Sequence, residues 1–318
     1  MDMKKLACEI IEGRRLGRDD DLRVFETCDL GDLRAGADML RAHFIGDKID
    51  LCAIINGKSG RCSENCKYCA QSAHYETQCK VHDFLPLQTI MDACEVHARE
   101  GVDRFSIVTS GHSLTDGDFD AAVEAFRRMH EAYDIELCAS LGFLSAEKLH
   151  RLHEAGVSRY HHNIETSRRF FPEICTTHTY DQRLETLKLV KAEGMKVCSG
   201  GIIGMGETFD DRMDMALDLA EYEVDSIPIN ELMPIPGTPL EGRPRLEEDE
   251  ILRTIALFCF VNPTARIRLA AGRALLTNDG ELAFQSGASA TITGNMLTTV
   301  ARATIQSDKQ LIKKLGRQ

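Results

Sequence analysis

Short apolar or β-branched runs alternate with longer segments of helical periodicity along most of the chain. The runs occupy residues 50–56, 104–110, 135–142, 158–165, 196–203, 224–230, 266–271 and 288–293. Segments between them, such as 118–133 and 179–194, repeat apolar residues every three or four positions, which is typical of amphipathic helices. Because strands that alternate with helices pair in parallel, the pattern predicts an α/β fold with crossover helices.

The number of these units indicates the architecture. Eight strand–helix units predict a complete (β/α)8 barrel of the TIM type, which usually needs about 250 residues. The chain has 318 residues and no Pro/Gly/Ser-rich linker. We therefore expect a helical extension over residues 1–45, followed by one barrel over residues 46–318.

The barrel prediction also locates the site. In TIM barrels the active-site residues lie at the carboxyl ends of the strands, and the interior is mostly Val, Ile and Leu. Here the predicted strands carry polar or metal-ligating residues at their carboxyl ends or interior positions: Cys138, Asn163, Glu165, Cys198, Asn230 and Arg268. The pattern predicts a functional site at one mouth of the barrel.

Composition and charge exclude several classes of protein. A net charge of −12 disfavours a nucleic-acid partner, since the surface repels phosphate on average. No apolar run approaches the length of a membrane span, and the N-terminal segment lacks the features of a signal peptide. We expect a cytoplasmic protein. Twelve cysteines in such a compartment favour metal or redox chemistry over disulfides.

The densest group of cysteines is "GRCSENCKYCAQS" at residues 60–72, directly after the first predicted strand. Cys62, Cys66 and Cys69 are separated by three and two residues. A structural zinc site normally uses four protein ligands, whereas three thiolates leave one metal position open. The spacing and its place after a barrel strand favour a functional cluster over structural zinc.

This loop resembles the radical S-adenosylmethionine (SAM) superfamily, whose hallmark is the same C-x3-C-x2-C spacing. The resemblance implies that Cys62, Cys66 and Cys69 hold a 4Fe–4S cluster and that SAM binds its open iron. Reduction of SAM would release a 5′-deoxyadenosyl radical, which the barrel shields from water. Tyr68 matches the aromatic residue that lies beside the adenine.

Motifs along nearly the whole chain resemble, in order, the biotin synthase family. They are "HHNIETS" (161–167), "TTHTYDQRLETL" (176–187), "KVCSGGIIGMGET" (196–208), "SIPINELMPIPGTPL" (226–240), "IRLAAGR" (267–273) and "MLTT" (296–299). The resemblance implies a sulfurtransferase that converts dethiobiotin to biotin with sulfur from an auxiliary iron–sulfur cluster. It also implies a homodimer and a small electron donor such as flavodoxin or ferredoxin.

The resemblance assigns ligand contacts residue by residue. SAM contacts fall on Tyr68, Asn163, Glu165, Gly201 and Gly204, where Glu165 replaces the family's usual Asp. Dethiobiotin contacts fall on Asn163, Asn230, Thr298 and Thr299. The two amides suit a ureido ring, because an amide both donates and accepts hydrogen bonds.

The auxiliary site is where the chain departs from the common pattern of three cysteines and an arginine around a 2Fe–2S cluster. Cys138, Cys198 and Arg268 match that pattern, but Ser106 stands at the strand-two position. Serine is a poor iron ligand because its alkoxide is far more basic than a thiolate.

A replacement thiolate for the auxiliary cluster is expected from Cys175, in the loop after strand four, rather than from Cys79. Cys52, in an apolar strand, is expected to be inert core. A four-iron cluster with an extra sulfide would resemble the variant from anaerobic organisms; 2Fe–2S is the alternative. Arg268 would lie beside the cluster as a balancing cation, whether or not it ligates iron.

Two other functions remain open from the sequence. Another radical SAM barrel enzyme, of the maturase or mutase type, would share the loop and fold without needing Cys138, Cys198 and Arg268 together. A non-catalytic iron–sulfur protein would have no need of Asn163 and Asn230 at the barrel mouth.

Overall fold

The chain begins with three helices that precede the sheet. The computed structural model describes residues 2–294 and 304–318. The helices are α1 (Met3–Ile11), α2 (Val24–Thr27) and α3 (Leu30–Phe44). The Asp2 carboxylate accepts hydrogen bonds from the first backbone N–H groups of α1 and so caps this helix. A Cβ on Gly36 of α3 would lie 2.7 Å from the Met3 carbonyl oxygen, so this glycine lets α3 pack closely on α1.

A parallel barrel follows the three helices. Its strands are β1 (Asp50–Lys58), β2 (Arg104–Thr109), β3 (Glu136–Ser140), β4 (Val157–His161), β5 (Lys196–Cys198), β6 (Gly201–Ile203), β7 (Ser226–Glu231), β8 (Arg266–Leu269) and β9 (Ala288–Thr293). Strands β5 and β6 both pair with β7 and are two halves of one barrel strand. Because β9 pairs with β1, eight strands close the barrel, which confirms the predicted (β/α)8 architecture.

Helices surround the barrel. They are α4 (Leu87–Arg99), α5 (Asp116–Ala132), α6 (Ala146–Glu154), α7 (Phe171–Ile174), α8 (Tyr180–Ala192), α9 (Phe209–Glu221), α10 (Glu248–Val261), α11 (Glu281–Phe284) and α12 (Ile305–Lys314). Fully buried side chains such as Phe105, Phe119 and Phe126 form an apolar layer between sheet and helices. No helix in the described ranges is both long enough and apolar enough to cross a membrane.

The register of the strands decides which side chains share the barrel interior. Ser106 of β2 lies opposite Cys138 of β3, which lies opposite Arg159 of β4. His161 of β4 lies opposite Cys198 of β5. Since paired residues in adjacent strands point to the same face, these five side chains belong to one interior surface. The interior is therefore polar at positions where a TIM barrel usually has branched apolar residues.

Candidate active site

The three-cysteine loop follows β1 and is closed by its own backbone. The Cys62 N–H donates to the Gln71 carbonyl (2.9 Å), and the Ala73 N–H donates to the Cys62 carbonyl (2.8 Å). The Ser72 hydroxyl donates to the carbonyl of Glu64 (2.6 Å). These bonds fold residues 62–73 back on themselves and hold the three cysteines on one closed loop.

A second set of bonds ties this loop to the segment after β4. The Lys67 N–H donates to the Ile174 carbonyl (2.9 Å). The Asn65 side chain donates to the Thr176 hydroxyl (2.7 Å) and accepts from the Thr176 N–H (2.9 Å). The loop that follows α7 is thereby held against Cys66.

The surroundings of two loop thiols favour their protonated form. Burial, followed by the neighbouring Cys62 thiol, raises the pKa of Cys69 to about 11. The hydrogen bond from Cys66 to Cys175, followed by burial, raises the pKa of Cys66 well above its usual range. Iron can bind these sulfurs only as thiolates, with loss of their protons. Three thiols on one loop match the donor set of a 4Fe–4S cluster that keeps one iron open.

Cys175 lies at this loop and not in the barrel interior. Its Sγ is 3.7 Å from the Cys66 Sγ and 3.4 Å from Nδ1 of His178. The bond between Lys67 and Ile174 fixes this position. The structure does not bring Cys175 together with Cys138 and Cys198, because its loop packs on the cysteine loop.

The group Cys66, Cys175 and His178 is close enough to suggest a metal site of its own, but the hydrogen bonds argue against it. Arg183 Nε donates to His178 Nε2 (3.0 Å), so that nitrogen is the acceptor. His178 Nδ1 therefore carries the proton and donates to the Glu64 carboxylate. In this arrangement His178 has no free lone pair for a metal.

The residues expected to contact SAM meet beside this loop. Arg183 donates to the Asn163 carbonyl (2.8 Å) and pairs with Glu165 at 3.5 Å. The Asn163 amide donates to Glu165 (3.3 Å) and accepts from the Gly200 N–H (3.1 Å). Burial, then the charges of Cys66 and Glu165, raises the pKa of Tyr68.

The backbone of Glu165 has a left-handed conformation, with φ of 72°. This conformation costs a non-glycine residue roughly 1–3 kcal/mol and is most often found at functional sites. Two bonds to the fifth barrel strand hold it: Glu165 N–H to the Gly200 carbonyl (3.1 Å) and Ile202 N–H to the Glu165 carbonyl (2.8 Å). The strained backbone orients the carboxylate that is expected to face the SAM ribose.

Close packing explains the glycines of the stretch that runs from residue 200 to residue 206. A Cβ on Gly200 would lie 2.1 Å from the Pro228 carbonyl oxygen, and one on Gly201 would lie 2.4 Å from that of Glu165. The N–H groups of Gly204 and Gly206 donate to the Glu207 carboxylate (2.7 and 3.1 Å). The glycines therefore serve close strand packing and a buried carboxylate; contact of Gly201 and Gly204 with SAM stays a prediction.

A cavity of about 200 Å³ lies inside the barrel. It brings together most of the residues predicted for the auxiliary cluster and the substrate. Its lining includes Cys52, Ser106, Cys138, His161, Asn163, Cys198, Asn230 and Arg268. Cys175 and Cys79 are not among its described lining residues, and the predicted contacts Thr298 and Thr299 lie outside the described part of the chain.

Cys52 is the residue that sequence reasoning missed. It was expected to be inert core, but its side chain lines the cavity together with Cys138 and Cys198. After burial, the charges of Cys198 and Cys52 contribute most to raising the pKa of Cys138, to about 12, as expected for thiols that line one cavity. Strand alternation in β1 could have indicated that Cys52 points into the barrel. Asp50, Cys52 and Ile54 share one face of the strand, and an Asp on that face marks it as polar.

Cys198 is the cavity thiol best prepared to bind metal. Its Sγ lies 3.4 Å from Nδ1 of His161. Burial opposes ionisation, but His161 and then Arg268 lower the pKa of Cys198 to about 6. A thiol with a lowered pKa presents the thiolate that iron requires. His161 therefore lies at the cavity thiols.

Arg268 lies beside the thiols as a fully engaged cation. Its Nη2 pairs with the Asp50 carboxylate, and its Nη1 donates to the Thr291 carbonyl (3.0 Å). Its Nε donates to the Ser226 hydroxyl at 3.4 Å. Burial alone would lower the pKa of Arg268, but Asp50 raises it overall. A protonated guanidinium has no lone pair for iron, so the geometry favours charge balance over ligation.

Asn230 lies at the mouth of the same cavity. Its amide donates to the Gly201 carbonyl (3.0 Å) and accepts from the Ala271 N–H (3.1 Å). These bonds use one hydrogen and one lone pair and fix the orientation of the amide. The second hydrogen and the second lone pair remain for a ligand in the cavity.

Comparison with known proteins agrees with this arrangement. Residues 58–219 match the radical SAM superfamily, and residues 228–318 match the biotin and thiamin synthesis associated domain. The chain is 56% identical to the biotin synthase of Alkaliphilus metalliredigens over 316 residues, covering 99% of both chains. It is 55% identical to that of Clostridium beijerinckii, again over 99% of both. The chain belongs to the biotin synthase family.

Solved structures of more distant relatives share the fold of this biotin synthase family member. Methylornithine synthase (PylB) matches 98% of the chain and 96% of its own length with a TM-score of 0.86 at 19% identity. HydG, a maturase of the [FeFe]-hydrogenase, matches 99% of the chain and 75% of its own length with a TM-score of 0.84 at 16% identity. At such identities the likeness concerns the barrel and not the reaction.

Proposed function

We propose that this chain is a biotin synthase, which inserts sulfur into dethiobiotin with the help of SAM. The observation that carries the proposal is that three cysteine thiols and the amides of Asn163 and Asn230 line the same cavity. Thiols provide a place for a sulfur-bearing cluster, and amides provide a place for a ureido ring. The cysteine loop, joined through Asn163 and Glu165, adds the SAM site at the mouth of this cavity.

In this proposal Cys62, Cys66 and Cys69 hold a 4Fe–4S cluster. That cluster, when bound, supplies the electron that cleaves SAM and yields the radical that abstracts hydrogen from the substrate. Tyr68 would pack beside the adenine of SAM, Glu165 would accept hydrogen bonds from the ribose, and Gly201 and Gly204 would line the SAM site. Arg183 keeps Asn163 and Glu165 in place, since it bonds to both.

The auxiliary cluster is assigned to Cys52, Cys138 and Cys198. These three come from β1, β3 and β5 and line the same cavity. Ser106, a small side chain in register with Cys138, leaves room for a four-iron group. Arg268, already paired with Asp50, balances the negative charge of the thiolates without binding iron. Iron–sulfur clusters are normally held by cysteine thiolates, which suits this donor set.

Dethiobiotin would lie between the two sites. Asn230 lines the cavity and has one amide hydrogen and one lone pair left after its two bonds, and Asn163 lines the cavity while bonding to Glu165. Thr298 and Thr299 are proposed for the carboxylate end of the substrate. We further propose a cytoplasmic homodimer, reduced by a flavodoxin or ferredoxin, with a helical extension over residues 1–45 and the barrel over residues 46–318.

Anaerobic turnover tests the proposal. Reconstituted protein with SAM, a reductant and dethiobiotin should form biotin together with 5′-deoxyadenosine. Mass spectrometry measures both products, and Mössbauer spectroscopy measures the iron present at each site. SAM cleavage without biotin, under conditions where both clusters are loaded, would instead favour another radical SAM reaction.

A further inference from the structure

One buried cation in the barrel cavity has been given no role by the sequence or by the family resemblance. Arg159 of β4 lines the cavity and is 5% exposed. Its Nε and Nη1 have no hydrogen-bond partner among the residues that the structure describes. A buried guanidinium without a partner is strongly destabilising, so its retention calls for a group that the protein chain itself does not provide.

The neighbouring arginines make the contrast clear. Arg104 and Arg268 also line the cavity, and both pair with the Asp50 carboxylate. Arg104 pairs in addition with Glu136, although its Nε, like that of Arg159, has no hydrogen-bond partner among the described residues. The carboxylates at this end of the barrel are therefore used by two of the three cations, and Arg159 is left with none.

The position of Arg159 indicates the chemistry of the missing partner. It lies opposite Cys138 in the strand pairing and two residues before His161, which contacts Cys198. Its charge acts on both Cys138 and Cys198. A guanidinium can only donate hydrogen bonds, so the partner must be an acceptor and is best an anion.

We infer that Arg159 is a positioning residue for the auxiliary cluster: its Nε–H and Nη1–H donate to anionic sulfur of the group that Cys52, Cys138 and Cys198 hold. The inference rests on the proposed function. Arg159 does not ligate iron; it retains the negative charge that the thiolates and sulfides bring into a buried cavity. Charge-assisted bonds of this kind are stronger than neutral ones, and bonds to cluster sulfur tune its redox behaviour.

The test uses Arg159→Met in a background with Cys62, Cys66 and Cys69 changed to Ala, so that only the auxiliary site binds iron. Two quantities are measured anaerobically: the melting temperature of cluster-free protein, and the rate at which reconstituted protein loses iron to a chelator. Arg159→Met should raise the melting temperature, because an unpaired buried charge is removed. It should speed iron loss by about tenfold or more, the scale expected for a lost charge-assisted hydrogen bond.

Three further variants sharpen the result. Arg159→Lys keeps the charge and should lose iron more slowly than Arg159→Met. Arg159→Gln keeps a donor without the charge and covers the case in which the Met variant does not fold. Arg104→Met is the matched control, because its Nη1 and Nη2 pair with Asp50 and Glu136, and it should lower the melting temperature of cluster-free protein.

The possible outcomes distinguish failure of the role of Arg159 from failure of the proposed function. A lower melting temperature of cluster-free protein in both neutral Arg159 variants would make Arg159 an ordinary structural residue and overturn the inference. An unchanged rate of iron loss would overturn it as well, while leaving the proposed function intact. If the background protein binds no iron at all, the proposed auxiliary site itself fails, and the inference fails with it.

Discussion

The cysteine loop and the barrel cavity each offer three thiols, and they are assembled by opposite means. The loop takes Cys62, Cys66 and Cys69 from one short stretch that its own backbone bonds fold into a compact turn. The cavity takes Cys52, Cys138 and Cys198 from three strands far apart in sequence, which only the closed barrel brings together. The first site depends on local sequence, and the second depends on the fold.

The cysteine loop and the barrel cavity also differ in their electrostatic surroundings. The loop lies outside the strands, so one side of a cluster held there can meet SAM at Asn163 and Glu165. The cavity lies inside the barrel and is lined by three guanidinium groups, of which Asp50 pairs with two. The negative charge of a cluster in the cavity would therefore change the balance between these guanidinium groups and Asp50. We expect loss of the loop thiols to leave folding unaffected, and changes in the cavity to alter both cluster and stability.

The largest effect is expected from the loop. Changing Cys62, Cys66 and Cys69 together to Ala should abolish 5′-deoxyadenosine formation under reduction, because no thiolate remains to hold the cluster that binds SAM. The barrel should keep its fold, and iron should remain at the cavity. Chromatography of the nucleoside and iron analysis measure the two results. Persistent SAM cleavage in this variant would show that the loop is not the radical site.

The cavity assignment is tested by comparing Cys52→Ala with Cys175→Ala. Cys52→Ala should remove the auxiliary iron and stop biotin formation, while SAM cleavage continues. Cys175→Ala should keep the auxiliary iron, because Cys175 lies 3.7 Å from Cys66 and outside the cavity. Cys94→Ala, a buried cysteine on α4, controls for the loss of a core thiol. The opposite pattern of iron retention would restore Cys175 as the ligand.

The same contrast explains how much the sequence could predict. Strand–helix alternation predicted the barrel, and local spacing predicted the loop. The choice between Cys52 and Cys175 depended on where two segments run in space. Cys175 follows a strand end, which favours the active face, but the bond between Lys67 and Ile174 directs its loop outward to Cys66. Cys52 lies in an apolar strand whose inward face could be recognised only from strand register and from the buried Asp50.

Substitution of Asp50 tests how much the charge pairs of the cavity contribute to the stability of the fold. Asp50→Asn should destabilise the cluster-free protein by about 3–5 kcal/mol, because Arg104 and Arg268 both lose a buried partner. Denaturant unfolding measures this change. Asp214→Asn, at an exposed contact with Arg18, should change stability by less than about 1 kcal/mol. Equal effects of the two substitutions would contradict the role given to Asp50.

The pH dependence of stability provides a second measurement of the same group. Burial alone would raise the pKa of Asp50, but Arg268 and Arg104 hold it well below its usual range. Since the folded pKa is lower than the unfolded value of roughly 3.9, the stabilisation is complete above that pH and is lost as the pH falls through the folded value. Asp50→Asn should remove this part of the acid sensitivity, and an unchanged acid profile would count against it.

The smallest expected effect concerns substrate binding at the cavity mouth. Asn230→Ala and Asn163→Ala should each weaken dethiobiotin binding by about 1–3 kcal/mol, roughly five- to 150-fold, because a buried ureido group loses a partner. Isothermal calorimetry with SAM present measures the dissociation constant. Asn230 is the more direct test, since its amide keeps one hydrogen and one lone pair free after its bonds to Gly201 and Ala271.

Asn262→Ala provides the matched control for this substrate test. Asn262 is also buried, and its amide donates to the Ala216 carbonyl (3.0 Å), but it does not line the cavity. Its loss should lower the melting temperature and leave the affinity for dethiobiotin unchanged. If Asn230→Ala lowers the melting temperature in the same way without weakening binding, then Asn230 serves only to join β6 to the segment after β8. The ureido ring would then have to bind elsewhere in the cavity.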